Sequence, residues 1–344
     1  MPDRLMKRMK SSKLAFRLIA VAIIGACLIA GWFVLELFSF KRNPIHLDQE
    51  QVFVVESGAS LNKIAYALQA EGLIEHPRYL TLLGRLHGHA AKLKAGEYLL
   101  KPGMKPLEVL DKIVAGDVVQ YSLTVVEGWS FRQMLQAIQA QEKLQHTLTG
   151  LTDTQIMQQL GAAGEHPEGR FMPETYSFPA GMTDLDFLKR AYSVMQKRLE
   201  QEWQQRAAGL PYETPYDALI MASIIEKETA VPSERKQIAG VFVRRLQKNM
   251  RLQTDPTVIY GLGEQFDGNL RRNDLLRDTP YNTYTRHGLP PTPIALPSAE
   301  SIHAALHPAE GDSLYFVAKG DGSHFFSATL EQHINAVRQY QLKH

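Results

Sequence analysis

The sequence predicts an α+β protein with an N-terminal transmembrane helix, a small βααβ subdomain and a larger α+β domain. An uncharged run lies close to the N-terminus, strand-like and helix-like spacings then alternate, and helical spacing dominates the remainder before a final strand pair. The length of 344 residues suits about two folded domains. The expected divisions are a basic tail at 1–17, a transmembrane helix at 18–38, the subdomain at 50–120 and the larger domain at 121–344.

The first segment has the charge pattern of a membrane anchor. An uncharged run from Leu18 to Leu35 has about the 18-residue length that a spanning helix needs. Basic residues precede it, so we expect a cytoplasmic N-terminus and an exported remainder. A cleaved signal peptide is disfavoured because the run is long and lacks a clean small-x-small site. Lipidation at Cys27 is disfavoured because apolar residues continue through Val34. The basic residues are Arg4, Lys7, Arg8, Lys10, Lys13 and Arg17.

The overall composition excludes several classes of protein. The net charge of +2 is too small to indicate a nucleic-acid partner. Cys27 is the one cysteine, so the chain can form neither an intrachain disulfide nor a cysteine-rich metal site. A hydrophobic content of 44% is that of an ordinary folded protein with its own core.

The small subdomain is predicted from strand and helix signals in the order βααβ. Strands are expected at residues 52–55 and 95–100, with helices between them from Leu61 and over 77–86, and a further helix at 106–114. Its first strand–glycine–serine–helix junction resembles a second one at residues 125–131. One explanation is that the subdomain is a carbohydrate-binding module of the LysM type. The other is that strand–turn–helix junctions simply resemble one another. The segment offers no decisive aromatic platform.

The larger domain is predicted to be mainly helical. Helices are expected over residues 183–206 and 215–229, and again from Pro232 to about Asn249. Two strands near its C-terminus, at 314–317 and 324–326, should pair across a turn rich in glycine. A last helix over 330–342 should begin after Thr329, a good N-cap residue.

The end of the 215–229 helix carries two carboxylates, Glu226 and Glu228. Eight uncharged residues before them cover every face of the helix, which predicts a central, buried position. A carboxylate there is partly desolvated and feels the negative end of the helix dipole, so its pKa should rise, as a general acid requires. The two residues lie about 200° apart around the helix. Either could be the acid, and either could instead form a salt bridge with Lys227, Arg235 or Lys236.

Two further segments, at residues 251–261 and 280–294, combine tyrosines, amides, hydroxyls and prolines. We interpret them as rigid loops. Such loops suit sugar recognition, because hydroxyls need polar partners and the apolar face of a sugar ring stacks on aromatic rings. The alternative is that they are ordered connectors without a ligand.

These segments resemble the endolytic murein transglycosylase, or YceG-like, family over nearly the whole chain. The resemblance implies that the catalytic acid is the glutamate followed by a hydroxyl residue, which is Glu228 before Thr229. A second such pair, Glu174–Thr175, stands where the family usually has an aspartate, so Glu174 is not expected to be the catalyst. Thr292, Leu296 and Ser298 also depart from the family's usual residues. The motifs are residues 222–229, 251–261 and 281–291.

The resemblance implies cleavage of the β-1,4 bond between N-acetylmuramic acid and N-acetylglucosamine, leaving a 1,6-anhydro end. No cofactor or metal is needed, and the partners implied are peptidoglycan glycan strands, the inner membrane and penicillin-binding glycan synthases. The catalytic domain is then periplasmic. The substrate-binding residues expected from the motifs are Gln253, Thr254, Asp255, Tyr260, Tyr281, Asn282 and Tyr284.

Two rival functions remain open. One is a glycan hydrolase in which Glu228 works with a second carboxylate such as Asp255. The other is a membrane-tethered peptidoglycan-binding scaffold without catalysis. A metalloenzyme is disfavoured: His303 and His307 have i, i+4 spacing, but no acidic residue follows them in the zinc-protease pattern, so they are interpreted as surface histidines.

Overall fold

In a computed structural model, the backbone is described for residues 2–342 and the side chains for residues 16–342. The chain divides after Gln120 into two compact units. Both units combine helices with short strands that form two-stranded sheets, so the predicted α+β class is confirmed. The strands are β1 (Gln51–Val55), β2 (Gly96–Leu100), β3 (Gln120–Thr124), β4 (Thr175–Pro179), β5 (Tyr315–Ala318) and β6 (His324–Ser327). The helices are α1 (Pro2–Arg42), α2 (Leu61–Ala70), α3 (Pro77–Leu86), α4 (Pro106–Ala115), α5 (Phe131–Gln139), α6 (Asp153–Gln159), α7 (Asp184–Gln204), α8 (Pro215–Glu228), α9 (Arg235–Gln247), α10 (Asp255–Leu262), α11 (Arg272–Leu276), α12 (Ala299–Leu306) and α13 (Leu330–Tyr340).

Helix α1 contains an apolar stretch that is long enough to cross a membrane. The stretch Phe16–Arg42 has 27 residues and a mean hydropathy of 2.7 in its most apolar window, and none of that window is buried by the rest of the protein. An uncovered apolar helix of this length matches the thickness of a bilayer core. The basic tail predicted at 1–17 lies almost wholly outside the residues whose side chains are described.

The first unit contains the predicted βααβ order. Strands β1 and β2 pair antiparallel, with Gln51 opposite Leu100, and α2 and α3 lie between them in the chain. Ser60 caps α2 by accepting a hydrogen bond from the backbone N–H of Lys63 at 3.2 Å. Phe53 and Tyr98, paired across the strands, are buried in the core of this unit. The elements begin and end within about two residues of the predicted bounds.

In the second unit, α8 is the central helix. Thr214 and Asp217 form a capping box at its start and Pro215 occupies the first turn, where a missing N–H has no cost. Every residue from 218 to 225 is buried, as the unbroken apolar run predicts. Helices α7, α9, α10 and α12 pack against it. Its last residue, Glu228, therefore emerges from the middle of the core.

The remaining elements frame this helix. Strands β3 and β4 form one pair, and β5 and β6 form an antiparallel hairpin with Tyr315 opposite Ser327. Ser130, in the strand–glycine–serine–helix junction at residues 125–131, caps α5, and Thr329 caps α13 as predicted; each is part of a capping box.

The prediction that residues 251–261 form a loop is wrong for most of that segment. Helix α10 begins at Asp255, with Thr254 as its N-cap residue and Pro256 in the first turn. Proline is favoured there because its fixed φ suits a helix start, whereas it breaks a helix interior. Residues 280–294 contain no regular helix or strand, as predicted.

Candidate active site

Glu228 is half-buried at the C-terminal end of α8, and it accepts a hydrogen bond from the side-chain hydroxyl of Thr254. Burial raises the pKa of Glu228 from its ordinary 4.5 to about 7. The hydrogen bond from Thr254 acts in the opposite direction, since it favours the ionised form, and the nearby charge of Asp255 adds to the rise. The carboxyl can therefore hold or release a proton near neutral pH.

Glu226 has a different environment, on the other side of the helix. Its Oε2 accepts hydrogen bonds from the backbone N–H of Ser298 at 3.0 Å and from the hydroxyls of Ser298 at 2.5 Å and Ser301 at 2.7 Å. Its Oε1 lies 3.7 Å from a guanidinium nitrogen of Arg235. The predicted salt bridge between Glu226 and Arg235 is thus confirmed. The bonds from Ser298 and Ser301 also fasten the start of α12 to the end of α8.

Glu228 lies where two open clefts of the second unit meet. The first, which we call the Glu127 cleft, has a volume of about 680 Å³ and is bounded by Glu127, Glu174 and Arg235. The second, the Tyr284 cleft, has about 530 Å³ and is bounded by Tyr284, Tyr315 and His324, among others. Of the described residues that line the two clefts, Glu228 is common to both. A long ligand could pass over this carboxyl with one part in each cleft.

Thr254 is held in place by a small cluster of buried hydroxyls. Its backbone N–H donates to the hydroxyl of Thr283 at 3.1 Å, and its carbonyl accepts from the hydroxyl of Thr257 at 2.8 Å. The hydroxyls of Thr257 and Thr283 lie 2.9 Å apart. These contacts join the start of α10 to the 280–294 loop, and they aim the Thr254 hydroxyl at Glu228.

Gln253, the residue before Thr254, has a left-handed backbone with a φ of 54°. This region is unfavourable for a residue with a side chain, so the surroundings must hold it. Arg245 does so: its guanidinium donates to the Gln253 side-chain oxygen at 3.2 Å and to the carbonyls of Arg251 at 3.0 Å and Leu252 at 2.9 Å. A further bond from Arg245 reaches the carbonyl of Leu314 at 2.7 Å.

Asp255 and Tyr284 face the same cleft as Gln253. The Tyr284 hydroxyl donates to an Asp255 carboxylate oxygen at 2.5 Å. Both side chains are at least partly exposed. The structure therefore brings three of the predicted binding residues together with Glu228 around the Tyr284 cleft.

Tyr260 and Tyr281 form a separate aromatic pair. Their ring centroids lie 4.9 Å apart in an edge-to-face arrangement, and the Tyr281 hydroxyl lies 2.9 Å from that of Thr292. The Tyr260 hydroxyl donates to a carboxylate oxygen of Glu168 at 3.1 Å. Neither ring is among the residues that line the two clefts.

Asn282 is completely buried, although the sequence predicts a ligand contact. Its amide nitrogen lies within 3.3 Å of the carbonyl oxygens of Asp274, Leu275 and Arg277, and its side-chain oxygen accepts from the Tyr284 N–H at 2.8 Å. Asn282 therefore shapes the loop that carries Tyr284. In this structure its own amide faces backbone rather than a cleft.

Sequence reasoning missed two ionisable side chains of this unit, Glu168 and His324. Glu168 is buried and accepts from the Phe131 N–H at 2.9 Å, and burial raises its pKa to about 7. His324 lines the Tyr284 cleft, and its Nδ1 lies 2.7 Å from a carboxylate oxygen of Glu234. Glu168 sits in a Pro-Glu-Gly turn with no sequence signal. The strand position of His324 beside a predicted turn was a signal that could have been used.

The fold and the site define a mixed α+β protein with an apolar N-terminal helix and a protonatable acid between two clefts. Residues 53–339 match the YceG-like family. A Bacillus subtilis protein named endolytic murein transglycosylase is 33% identical over 337 residues, covering 92% of this chain and 91% of that protein. The chain belongs to the YceG-like family.

More distant relatives agree with this assignment. Two Streptococcus pneumoniae proteins, also named endolytic murein transglycosylase, are each 26% identical and cover 94% of this chain, which spans 64% of their length. A crystal structure of a YceG-like protein from Listeria monocytogenes has 30% sequence identity and a TM-score of 0.54, covering 83% of this chain and 98% of that one.

Proposed function

We propose that this protein is a membrane-anchored endolytic transglycosylase that cleaves the glycan strands of peptidoglycan, with Glu228 as its catalytic acid and base. The observation that carries the proposal is the position of Glu228, whose pKa is raised to about 7 and whose side chain lines two open clefts. The relatives from Bacillus subtilis and Streptococcus pneumoniae are named endolytic murein transglycosylases, which supports the same activity.

The proposed reaction uses one carboxyl twice. Protonated Glu228 donates its proton to the glycosidic oxygen of the β-1,4 bond while the bond from that oxygen to C1 of the muramic acid breaks. The carboxylate then takes the proton of the muramic acid C6 hydroxyl, and the C6 oxygen bonds to C1 to close a 1,6-anhydro ring. No water is consumed, so neither a nucleophilic carboxylate nor a water-activating base is required, unlike in most glycosidases.

Thr254 fits this double role. Its hydroxyl occupies one oxygen of Glu228, Oε1, so the second oxygen is the one available to substrate. A hydrogen bond to a carboxylate is stronger than one to the neutral acid. Thr254 should therefore stabilise the ionised Glu228 that exists between the two proton transfers.

The other predicted binding residues divide into two groups. Gln253, Asp255 and Tyr284 line the Tyr284 cleft and are proposed to contact glycan. Their exposed amide, carboxylate and phenol suit sugar hydroxyls. Four residues are proposed to position that surface: the buried Thr254 and Asn282 and the partly buried Tyr260 and Tyr281.

The two clefts support the proposal that cleavage takes place within a strand rather than at its end. An enzyme that removes end groups can close the site on one side, whereas an internal bond needs room for sugar on both sides. The clefts of about 680 and 530 Å³ on either side of Glu228 provide that room.

The membrane arrangement is part of the proposal. Helix α1 anchors the chain in the inner membrane with the N-terminus in the cytoplasm and residues from about 41 onward in the periplasm, because the basic residues precede the apolar run. The 50–120 segment is proposed to act as a LysM-like glycan-binding subdomain and 121–344 as the catalytic domain. Penicillin-binding glycan synthases are the proposed partners.

This topology has a direct test. A reporter that is active only in the periplasm, fused after His344, should be active in cells. A fusion that works only with a cytoplasmic reporter would contradict the orientation.

The decisive experiment for the activity is mass spectrometry of the glycans that the purified full-length protein releases from peptidoglycan. We expect fragments that end in 1,6-anhydro-muramic acid. Reducing muramic acid ends would instead indicate the hydrolase, with Asp255 as the candidate second carboxylate. Binding to sacculi without any release would indicate the scaffold.

A further inference from the structure

We infer that Glu202, His303 and His307 form a binding site for a single divalent transition-metal ion, with Zn²⁺ as the best fit, on the face of the second unit where α7 meets α12. This site is independent of the proposed function, because it lies outside both clefts that Glu228 lines.

The geometry of the three side chains supports the site. His303 Nδ1 lies 2.9 Å and His307 Nε2 lies 3.8 Å from the same oxygen of Glu202, Oε2. One ligand atom from each residue lies within 4.8 Å of the others. Ligands bound to Zn²⁺ at about 2.0–2.1 Å in a tetrahedron are about 3.3 Å apart, so small rotamer changes would bring all three into coordination.

The donor types and their setting favour zinc over magnesium or calcium. Two imidazole nitrogens and one carboxylate form a common zinc ligand set, whereas Mg²⁺ and Ca²⁺ prefer oxygen ligands. The other oxygen of Glu202, Oε1, lies 3.2 Å from the guanidinium of Arg198, which orients the carboxylate toward the histidines in the manner of an outer-shell partner.

The site is accessible from solvent. All three side chains are only partly buried, and an ion can reach them without any unfolding. Lys236 and Arg198 are the cations nearby that a bound ion would have to tolerate.

The histidine pair was visible in the sequence, but its acidic partner was not. His303 lies on α12 and His307 is the residue directly after that helix, four positions later, while Glu202 comes from α7, about a hundred residues earlier. A bound ion would fasten these two helices together. Ser298 and Ser301 at the start of α12 donate to Glu226 at the end of α8. An ion that holds α12 in place would therefore also stabilise the end of α8.

The test is titration of ZnCl₂ into the full-length, tag-free protein in detergent after treatment with a chelator. Binding is followed by competition with a zinc-sensitive dye, and the melting temperature is measured with and without Zn²⁺. We expect one Zn²⁺ per chain, a melting temperature that rises with Zn²⁺, and no such effect with MgCl₂. Co²⁺ in place of Zn²⁺ should give the visible absorption of a tetrahedral or five-coordinate ion.

The variants are His303→Gln, His307→Gln and Glu202→Gln. Changes in groups that only orient a ligand already cost about 10–100-fold in metal affinity, so loss of a ligand should weaken binding by at least about tenfold. Each variant should also melt at a temperature that Zn²⁺ no longer raises. Comparison of metal-free melting temperatures separates this effect from misfolding.

Matched controls are His287→Gln, an exposed histidine elsewhere, and Glu200→Gln, an exposed glutamate on α7. Both should bind Zn²⁺ like the unaltered protein. The inference is overturned if the unaltered protein binds no Zn²⁺, or if the three variants bind it as tightly as the controls do.

Discussion

Glu226 and Glu228 stand two residues apart at the end of one helix, yet their surroundings are opposite in kind. Glu226 is enclosed by two hydroxyls, a backbone N–H and a guanidinium. Glu228 receives a hydrogen bond from Thr254, lies near Asp255 and His324 and lines two clefts, and burial raises its pKa to about 7. The first carboxyl thus fastens helices together, whereas the second can exchange a proton with a ligand in the clefts.

The largest effect should come from Glu228→Gln. Glutamine keeps the shape of the side chain and can still accept from Thr254, but it can neither donate the first proton nor accept the second. General acid–base catalysis is worth about 10²–10⁴-fold, and the release of anhydro-ended glycan, measured by mass spectrometry, should fall by at least that factor. Near-normal release by this variant would exclude Glu228 as the catalyst and make Glu174 the next residue to change.

The same variant should also change stability in a way that depends on pH. The folded-state pKa of Glu228, about 7, lies above its ordinary 4.5, so its contribution to stability is full below pH 4.5 and is lost as the pH rises through 7. Glu228→Gln removes this loss. Its melting temperature should exceed that of the unaltered protein at pH 8, and the difference should vanish near pH 4.

Glu226→Gln should have the opposite effects: it should lower stability and leave activity unchanged. Glutamine removes the charge that Arg235 and the two serines bind, which should lower the free energy of unfolding by about 1.5–3 kcal/mol. Activity per folded molecule should be retained at temperatures well below melting. An inactive but normally stable Glu226→Gln protein would reverse the two assignments on this helix.

Removal of the Ser298 hydroxyl tests the surroundings of Glu226. Ser298→Ala removes a donor to Glu226 and also the N-cap of α12, where the Ser298 hydroxyl accepts from the Ser301 N–H at 3.2 Å. Loss of such a cap costs about 1 kcal/mol of stability. The melting temperature should fall, while the pH dependence of glycan release should stay that of the unaltered protein.

Thr254→Val removes the hydroxyl that contacts Glu228, and it should affect the pH profile more than stability. The acid must be protonated, so activity should fall as the pH rises through about 7. Since the Thr254 hydroxyl lowers the pKa of Glu228, its loss should move this decline to higher pH. Thr254→Ser, which restores a hydroxyl, should return the profile, and an unchanged profile in Thr254→Val would rule out the contact as a determinant.

Much of the fold could be predicted because local rules act on it directly. The unbroken apolar run at 218–225 predicted a central helix, and the serine and threonine caps predicted where other helices begin. The βααβ order of the first unit followed from alternating spacing. The start of α10 is harder to predict because hydroxyls and tyrosines are typical of loops, although Pro256 near its start favours a helix.

The candidate site was predictable only in part, because its selectivity comes from long-range contacts. Spacing placed Glu226 and Glu228 on different sides of α8, but it could not show that the serines of α12 enclose only the first of them. The burial of Asn282 also depends on backbone carbonyls from a neighbouring short helix and turn. Such partners leave no periodic signal in a sequence.

The left-handed backbone at Gln253 links the chemistry of α8 to a distant part of the chain. A strained residue keeps its conformation only while its neighbours hold it, and the holder here is the Arg245 guanidinium, which is also bonded to the carbonyl of Leu314 next to β5. The Gln253 N–H also donates to the Thr283 carbonyl at 3.2 Å. The backbone that presents Thr254 to Glu228 therefore depends on two segments that come later in the chain, the residues next to β5 and the loop that carries Tyr284.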